Sequence, residues 1–481
     1  MGFSRRDFLK AVGVGAAGVI TGGLSGCMAE TAKIGGKGGR KPNIIYILAD
    51  DLGIGDLGCY GQEKIKTPNI DRLAAEGMKF TDHYSGSTVC APSRCSLMTG
   101  RHTGHCYIRG NWEVQPEGQM PLPAEKVTVA EVMKRAGYTT GAFGKWGLGY
   151  PGSEGDPINQ GFDEFFGYNC QREAHHFYPD HLWHNDKKVI LEGNKGDSKQ
   201  QYSHDLIAEK SLEFVKEHKD EPFFMFVPFT IPHAELAVPE DSLEQYEDKG
   251  WSEKVYKGSK HGYGRQEQPR AAYAAMVTRM DSDVGRLMAL LKELDIDDDT
   301  IVMFSSDNGA HTEGGNDWRF FDSNGPFRGI KRDLYEGGIR VPMIARWPGK
   351  IEAGSVSDHI SAFWDILPTC AQLAGVDAPP NIDGLSFVPE LIGKPQKKHE
   401  YLYWEFPVWG GRQAVRMGKW KAVRLNVKKN PEAPIELYNL NKDIGEQNNV
   451  ADQHLEIVAK MKEIMEKAHT PSEKFKLFKG E

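Results

Sequence analysis

Short runs of apolar residues recur along this chain, and polar residues follow each run at once. The runs have the length of strands that are buried on both faces of a sheet. Between them lie segments that begin with helix-capping residues or place apolar residues every three or four positions. The predicted strands are residues 43–48, 138–143, 223–229 and 300–306, and the predicted helices are residues 67–77, 127–136, 203–218 and 270–294. This alternation predicts an α/β domain with a largely parallel sheet.

The pattern changes near Ala378-Pro379-Pro380, where we place a domain boundary. Beyond it the apolar runs are short and are joined by turns, and a helix follows them. These strands are expected at residues 401–405, 413–417, 419–424 and 436–440, and the helix at residues 453–467. A chain of 481 residues has room for two such units. We predict a large domain at residues 41–378 and a smaller sheet-and-helix subdomain at residues 379–481.

The first forty residues are typical of a targeting segment. A twin-arginine pattern, Ser4-Arg5-Arg6-Asp7-Phe8-Leu9-Lys10, precedes a short apolar, glycine-rich run at residues 11–20. Leu24-Ser25-Gly26-Cys27 resembles a lipobox, whose cysteine is lipidated and becomes the new N-terminus. A transmembrane anchor is the alternative, but the run is shorter than the roughly 20 residues that a span needs. We expect a signal at residues 1–27 and a tether at residues 28–40, with twin-arginine export and a lipid anchor in a membrane facing the periplasm or the outside.

Charge and cysteine content argue against two other classes of protein. The formal net charge is -8, from 59 basic and 67 acidic residues, and no long basic run is present. Nucleic acid is therefore not an expected partner. Seven cysteines are present, and setting aside Cys27 and Cys90, which have other interpretations, leaves an odd number. A disulfide framework is not indicated.

Polar residues follow the predicted strands of the large domain directly. Two adjacent carboxylates, Asp50 and Asp51, repel each other unless a cation or hydrogen bonds hold them, although solvated acids in a loop are the common alternative. Ligands of such sheets bind beyond the carboxyl ends of the strands, so these residues are expected at one edge. The carboxylate and amide oxygens among them, from Asp50, Asp51, Asp307 and Asn308, suit Ca²⁺ or Mg²⁺ rather than zinc. The residues at strand ends are Asp50, Asp51, Lys145, His233, Asp307 and Asn308.

Residues 87–101 contain a thiol beside a predicted helix start. Pro92 fits the first turn of a helix over residues 93–99, and Gly100 fits its end. Cys90 would then lie at the positive end of the helix dipole, with Arg94 about one turn further on. Such a position favours an anion. A buried structural cysteine is the alternative interpretation.

These motifs resemble those of type I, formylglycine-dependent sulfatases. Cys90-Ala91-Pro92-Ser93-Arg94, with Leu97-Met98-Thr99-Gly100-Arg101 after it, resembles the family signature, and residues 137–149 resemble its second signature. The resemblance covers about residues 41–450 and is to bacterial members like arylsulfatase A and N-acetylgalactosamine sulfatases. Further matching elements are Asp50-Asp51-Leu52-Gly53, residues 67–74, Pro232-His233, Asp307-Asn308-Gly309, Gly329-Ile330-Lys331 and residues 335–342.

The resemblance implies an alkaline-phosphatase-like fold, with a large, mostly parallel sheet flanked by helices and a smaller C-terminal antiparallel sheet-and-helix subdomain. It implies that a maturation enzyme converts Cys90 to formylglycine, and it favours Ca²⁺ over Mg²⁺ as the metal. The implied metal ligands are Asp50, Asp51, residue 90, Asp307 and Asn308, and the implied catalytic residues are Cys90, Arg94, Lys145, His233 and Lys331.

In this family the arginine holds the formylglycine hydrate, the two lysines neutralise sulfate oxygens, and the histidine orients sulfate or assists the leaving oxygen. Arg328 and Arg332 compete with Lys331 for the second lysine's role. One departure from the pattern is Gly147, where many relatives have a histidine that contacts the formylglycine. That role is vacant here or is filled from elsewhere.

The implied reaction is hydrolysis of a sulfate ester, and we expect a sulfated sugar as substrate because of two polar loops. Zinc is not favoured for the second, histidine-rich loop, since no cysteine-rich or His-Glu-x-x-His spacing accompanies it. Ordinary solvated loops are the alternative for both. Two other functions stay open: a phosphatase or phosphonate monoester hydrolase on the same scaffold, and an inactive, lipid-anchored glycan-binding protein. The candidate substrate-binding residues are His105, Arg109 and Asn111 in the first loop and His175, His176 and Tyr178 in the second.

Overall fold

The structure is a computed structural model that describes residues 40–196, 198–259 and 262–481. The predicted signal at residues 1–27 and the tether at residues 28–40, apart from residue 40, lie outside the described residues, so both stay predictions. Within the described part of the chain, no helix has the length and apolar character needed to cross a membrane.

Sixteen strands form three sheets in the described residues. In chain order they are β1 (Asn43–Ala49), β2 (Met78–Phe80), β3 (His83–Tyr84), β4 (Thr139–Lys145), β5 (Glu164–Tyr168), β6 (His181–His184), β7 (Lys187–Ile190), β8 (Phe223–Pro228), β9 (Thr300–Ser306), β10 (Met343–Arg346), β11 (Ser355–Ser357), β12 (Ser361–Ala362), β13 (Leu402–Phe406), β14 (Arg412–Met417), β15 (Trp420–Leu425) and β16 (Ile435–Asn439).

The large sheet has ten strands in the order β11-β2-β10-β9-β1-β8-β4-β5-β6-β7. Its five central strands, β9, β1, β8, β4 and β5, run parallel to one another. Strands β10 and β6 are antiparallel to their inner neighbours, so the sheet as a whole is mixed. The predicted α/β fold is confirmed, and the parallel character applies to the centre of the sheet. β3 and β12 form a separate parallel pair.

Helices cover both faces of this sheet. Along β1, Ile45 and Ile47 belong to one buried cluster, whereas Ile44 and Tyr46 belong to another on the opposite face, as the two-residue period of a strand requires. α6 and α4 pack on the first face, and α2, α3 and α9 pack on the second. The helices are α1 (Pro68–Ala75), α2 (Cys90–Thr99), α3 (Val129–Arg135), α4 (Ser203–Glu217), α5 (Glu240–Glu247), α6 (Pro269–Glu293), α7 (Trp318–Phe321), α8 (Glu336–Ile339), α9 (Ile366–Ala374), α10 (Val388–Leu391) and α11 (Leu455–Lys467).

Several element boundaries differ from the prediction. α2 begins at Cys90 itself, with Val89 as N-cap, because a proline is also compatible with the third residue of a first turn. Lys145 is the last residue of β4 rather than the residue after it. The predicted side-chain cap of α1 is absent, since the hydroxyl of Thr67 bonds Gly58 and Asp71 instead. Part of the expected histidine-rich loop forms β6, which pairs with β7.

The C-terminal unit is a four-stranded antiparallel sheet in the order β13-β14-β15-β16, as the fold prediction states. One face packs against α11, where Met461 and Met465 meet Tyr403. The other face packs against the large domain, where Trp404 lies 5.3 Å from Tyr84 between ring centroids. Both faces of this sheet are therefore buried. The turn between β13 and β14 lies at the end of the sheet, next to loops of the large domain.

Candidate active site

The carboxyl ends of the parallel strands bring the predicted site residues together. Ligand atoms of Asp50, Asp51, Cys90 and His233 lie within 4.8 Å of one another, and all four side chains are buried. Asp50 and Asp51 follow β1, Lys145 ends β4, His233 follows β8, Asp307 and Asn308 follow β9, and Cys90 and Arg94 lie in α2.

The start of α2 is fixed directly to the end of β9. Ser93 donates from its hydroxyl to the carbonyl oxygen of Asp307 at 2.6 Å, and the backbone N–H of Gly86 donates to Ser93 in turn. At the other end of α2, Gly100 adopts a left-handed conformation with φ of 69° and closes the helix. These contacts hold Cys90, the first residue of α2, over the sheet edge.

Cys90 lies between a carboxylate and an ammonium group. Its Sγ is 3.5 Å from Oδ1 of Asp50 and 3.5 Å from Nζ of Lys145. Burial raises the pKa of the Cys90 thiol well above its usual value; the Lys145 ammonium opposes that rise, and the Asp50 carboxylate adds to it. An unmodified Cys90 is therefore a neutral thiol at pH 7 and a weak nucleophile.

One half of the centre is a buried ion-pair network around Asp50 and Asp307. Lys145 Nζ lies 2.6 Å from Asp50, and Arg94 Nη2 lies 2.9 Å from Asp307 and 3.6 Å from Asp50. Burial alone would raise the pKa of Asp50, but Lys145 and the other cations outweigh it and hold that pKa well below its usual range. Burial and the Asp50 charge raise the pKa of Asp307 to about 7.

The other half is built on Asp51. Lys331 Nζ lies 2.6 Å from Oδ2 of Asp51 and 3.0 Å from Nε2 of His233. Burial, and then the Lys331 charge, hold the pKa of His233 well below its usual value, so the ring is neutral at pH 7. Asp51 itself has φ of 66°, a region that costs a non-glycine residue about 1–3 kcal/mol. Its N–H donates to Oδ1 of Asp307 at 3.1 Å.

The donor set of this centre fits a hard divalent cation. Three buried carboxylates supply oxygen donors next to three buried cations, and oxygen donors are the ligands that Ca²⁺ and Mg²⁺ prefer. The Oδ1 atom of Asn308 is buried and has no hydrogen-bond partner among the described residues, as expected of a ligand atom. The carboxylates are Asp50, Asp51 and Asp307, and the cations are Arg94, Lys145 and Lys331.

Glu313 is a member of the centre that the sequence did not indicate. Its Oε2 lies 3.6 Å from both Lys331 Nζ and His233 Nε2, and it accepts a hydrogen bond from the hydroxyl of Tyr263 at 2.9 Å. Its other oxygen pairs with Arg332. A single glutamate in an irregular loop has no periodicity or motif that could have predicted this position.

Gln171 occupies the space beside Gly147, where the family pattern has a histidine. A Cβ atom on Gly147 would lie 2.5 Å from Nε2 of Gln171, and Gly147 has φ of 81°. That Nε2 is buried and has no hydrogen-bond partner in the described part of the chain. Gln171 therefore offers an unused N–H donor beside Gly147, which follows Lys145 by two residues.

Two of the six candidate substrate-binding residues, His175 and Asn111, contact the centre or its helix, and His176 and Tyr178 lie further along the second loop. The His175 ring stacks on His233 with centroids 4.1 Å apart, and Oδ1 of Asn111 accepts from the N–H of Ala91 at 3.1 Å. His176 faces Glu235 with 3.8 Å between Nδ1 and Oε2. Tyr178 lines an adjoining cavity of 410 Å³ together with Lys199 and Glu235. Their contact with substrate stays a prediction.

The geometry argues against His105 as a ligand of the same sugar. Its Nδ1 lies 2.9 Å from Asp383, whose N–H donates to the carbonyl of Gly100 at the far end of α2. A ten-residue helix separates that end from Cys90 by about 15 Å. The His102 ring stacks on His105 with centroids 4.2 Å apart, so His105 is held on both sides by protein groups.

Arg109 is buried and pairs with the C-terminal sheet. Its guanidinium lies 2.8 Å from Oε1 of Glu405 in β13, and it also donates to the carbonyl oxygens of Cys106 and Thr470. Only 4% of the residue is exposed. These contacts occupy the charged group and tie the loop to the C-terminal sheet, and a substrate contact of Arg109 stays an untested prediction.

Arg328, the competing candidate for the second lysine's role, has partners outside the centre. Arg328 donates to the hydroxyl of Tyr438 and to the carbonyl oxygen of Glu446, both in the C-terminal unit. Lys331 is the residue that reaches the centre, and Arg332 lies at its entrance.

Comparisons with known proteins agree with this architecture. The "Sulfatase" family profile matches residues 42–376, and "N-sulphoglucosamine sulphohydrolase, C-terminal" matches residues 317–471. The solved structure of Ps i-CgsB is 30% identical with a TM-score of 0.76, over 89% of this chain and 92% of that one. The same protein has been solved with k-i-k-neocarrahexaose.

Two curated relatives are similar over most of the chain. N-acetylgalactosamine-6-sulfatase of Canis lupus familiaris is 32% identical over 413 residues, which are 80% of this chain and 72% of the relative. N-acetylgalactosamine-6-O-sulfatase of Bacteroides thetaiotaomicron is 29% identical over 530 aligned positions, covering 93% of this chain and 97% of the relative. The fold and centre are those of a sulfuric ester hydrolase. The chain belongs to the sulfatase family.

Proposed function

We propose that this protein removes sulfate from a sulfated carbohydrate, with a formylglycine made from Cys90 as its nucleophile. The observation that carries the proposal is the buried centre in which the Sγ atom of Cys90 lies 3.5 Å from both Asp50 and Lys145. Two further buried cations, Arg94 and Lys331, belong to the same centre. A thiol whose pKa is raised by burial is unsuited to attack at neutral pH, which favours a modified residue at this position. The aldehyde hydrate would supply an oxygen nucleophile and a second hydroxyl for release of sulfate.

We propose Ca²⁺ as the metal, with Mg²⁺ as the alternative. Asp50, Asp51, Asp307 and Asn308 would hold it through oxygen atoms, together with residue 90. When bound, the cation lowers the pKa of the hydrate and stabilises negative charge on a sulfate oxygen.

The remaining residues have separate tasks in this proposal. Lys145 and Lys331 place ammonium groups where sulfate oxygens need neutralisation, and Arg94 orients residue 90 through its bonds to Asp307. His233 is neutral, and its Nε2 lies 3.0 Å from Lys331, so it can accept a hydrogen bond from that ammonium and orient it toward the sulfate. Glu313 contacts both Lys331 and His233 and holds them in place.

A carbohydrate substrate is supported by the relatives and by the surroundings of the centre. Several similar enzymes carry names of amino-sugar sulfatases, and a similar structure was solved with an oligosaccharide. Others, 31% identical, are named steryl-sulfatase, so the walls of the site must decide between the two substrate classes. The adjoining 410 Å³ cavity is lined mainly by polar groups, among them Lys199, Glu235 and Gln266. Hydroxyl-rich ligands suit such walls, whereas a lipid-like sulfate would need a continuous apolar one.

The test is a substrate panel with protein co-expressed with a formylglycine-generating enzyme. Sulfated mono- and oligosaccharides, aryl sulfates and the matched phosphate esters are compared by kcat/KM. We expect the sulfated sugars to be the best substrates. A preference for phosphate esters would show a phosphatase or phosphonate hydrolase, and no turnover of any ester would leave only glycan binding. If aryl sulfates were the only substrates, the proposal of a carbohydrate substrate would be wrong.

We also propose that the protein is exported by the twin-arginine route and anchored through lipid on Cys27. The support is the arginine pair at residues 5 and 6 with the Leu-Ser-Gly-Cys sequence at residues 24–27. Fractionation of the native host, with a Cys27→Ala variant as control, tests it. Wild-type protein found in the cytosol with its first residues intact would contradict this location.

A further inference from the structure

The entrance to the active site carries exposed apolar side chains. Eight large hydrophobic residues are exposed within the described part of the chain, and three of these, Trp112, Val408 and Trp409, lie together here. Trp409 is 57% exposed and Trp112 is 48% exposed. An exposed tryptophan does not gain the free energy that burial of its ring would give, so two exposed tryptophans at one place indicate a binding surface. We call Trp112, Val408 and Trp409 the aromatic rim.

The rim is continuous although its parts are far apart in sequence. A Cβ atom on Gly110 would lie 3.3 Å from Phe475 and 3.8 Å from Val408. The Trp112 ring meets Phe475 edge-on with centroids 5.9 Å apart. The loop that follows α2 therefore borders the turn between β13 and β14, and the two tryptophans belong to one surface.

Both ends of the rim lead directly to the catalytic centre. Asn111, next to Trp112, accepts a hydrogen bond from the N–H of Ala91, the residue after the proposed nucleophile. At the other end, the guanidinium of Arg332 lies 5.6 Å from the Trp409 ring centroid. The N–H of Arg332 donates to the carbonyl of Thr88 at 3.0 Å, and its neighbour in sequence is Lys331.

Two arginines flank the Trp409 indole. The Arg412 guanidinium lies 5.4 Å from its centroid and donates to the carbonyl of Arg332 at 2.7 Å and to Asp333 at 2.8 Å. Arg332 uses one terminal nitrogen for its pair with Glu313. In the residues described here, these pairs engage one nitrogen of each guanidinium, so other N–H groups can donate to a ligand.

We propose that the aromatic rim, with Arg332 and Arg412, binds the saccharide residue that adjoins the sulfated one. A pyranose ring has an apolar face of C–H groups, which suits an indole, and hydroxyl groups at its edge, which suit guanidinium donors. The inference rests on the proposed function and deepens it, because it assigns an oligosaccharide as the substrate. A small aryl sulfate would reach the centre and leave the rim uncovered.

The experiment compares Trp409→Ala and Trp112→Ala with wild type on short oligosaccharides from chondroitin sulfate and carrageenan, and on an aryl sulfate. For Trp409→Ala we expect kcat/KM to fall about tenfold on the best oligosaccharide, the value of one lost ring contact. Its activity on the aryl sulfate should stay within about twofold of wild type, because the exposed rim supports no core. Trp409→Phe should recover most of the loss.

Val356→Ala is the matched control, since Val356 is 62% exposed on β11 at the outer edge of the large sheet. A second readout avoids turnover: calorimetry of the same oligosaccharides with Cys90→Ala, alone and combined with Trp409→Ala. Weaker binding in the double variant supports the subsite. Equal binding and equal kcat/KM would overturn the subsite alone, whereas a wild-type enzyme that turns over and binds none of the oligosaccharides would overturn the carbohydrate proposal with it.

Discussion

The catalytic centre and the aromatic rim are built in opposite ways. The centre is buried, charged on every side and attached to the ends of four parallel strands, so its side chains have little freedom. The rim is exposed and apolar, and it joins a loop of the large domain to a turn of the C-terminal sheet. Under the proposed function, this difference assigns the reaction to the sheet edge and the choice of substrate to the loops.

Mutations in the two regions should therefore have different effects on turnover. A change in the centre should reduce turnover of every sulfate ester, because the proposed roles of these groups concern the sulfate and residue 90, which all such substrates need. A change in the rim should act on large substrates only. Residues that join the two regions, such as Arg109, should affect stability more than chemistry.

The largest effect is expected at the metal ligands. Asp307→Ala removes an oxygen donor and takes away the carboxylate that lies 2.9 Å from Arg94. We expect loss of bound calcium and a drop in kcat/KM of roughly a thousandfold or more on sugar and aryl sulfates alike. Elemental analysis and kinetics measure the two. Asp297→Ala, whose carboxylate pairs with Arg346, is the control and should keep both. Full activity of metal-free Asp307→Ala protein would contradict the ligand assignment.

The next effect separates two neighbouring basic residues. Lys331→Ala should lower kcat by about a hundredfold or more, since it removes a positive charge that faces the developing negative charge. Arg328→Ala should leave kcat unchanged because Arg328 bonds Tyr438 and Glu446 in the C-terminal unit. Steady-state kinetics on one aryl sulfate compares the pair. A larger kcat loss in the Arg328 variant would reverse the assignment.

Arg109 tests the connection between the two regions. Arg109→Ala breaks a buried ion pair with Glu405, and we expect the free energy of unfolding to fall by about 3 kcal/mol. His105→Ala should cost no more than about 1 kcal/mol, because its side chain is one-third exposed. Urea unfolding measures both. If Arg109→Ala kept wild-type stability and instead raised KM selectively for oligosaccharides, the substrate role predicted from sequence would be supported.

Gln171 is expected to give the smallest effect within the centre. Gln171→Met keeps the length of the side chain and removes the unused N–H donor beside Gly147. We expect kcat to fall about tenfold, the value of one hydrogen bond to a charged group, with thermal stability unchanged. Gln119→Met is the control: Gln119 is similarly buried, and its carbonyl oxygen has no hydrogen-bond partner among the described residues. Equal kcat in wild type and the Gln171 variant would leave the position without a catalytic task.

Much of the centre was predictable from the sequence because two strong patterns coincide there. An apolar run marks each central strand, and a polar residue directly after it must lie at the sheet edge, as Asp50, Asp307 and Lys145 do. The same rule cannot find Glu313, which reaches His233 and Lys331 from an irregular loop. Its position depends on tertiary packing.

The loops were harder to predict, for geometrical reasons. His105 follows Cys90 closely in sequence, but the intervening helix carries it to the opposite end of α2. Arg109 is turned inward by a partner in β13 that lies almost 300 residues later, Glu405 at a separation of 296. Trp409 meets Arg332 only because the small sheet packs on the large domain. No local pattern in the sequence encodes such contacts.

The central claim is that turnover depends on a formylglycine at residue 90. The most direct measurement uses a series of preparations co-expressed with increasing amounts of the maturation enzyme. Mass spectrometry of the peptide that carries residue 90 gives the modified fraction, and the rate of sulfate release is measured on each preparation. The account predicts a rate proportional to that fraction, with none when residue 90 is wholly the encoded cysteine. A rate that is the same across the series, or that persists with unmodified Cys90, would contradict it.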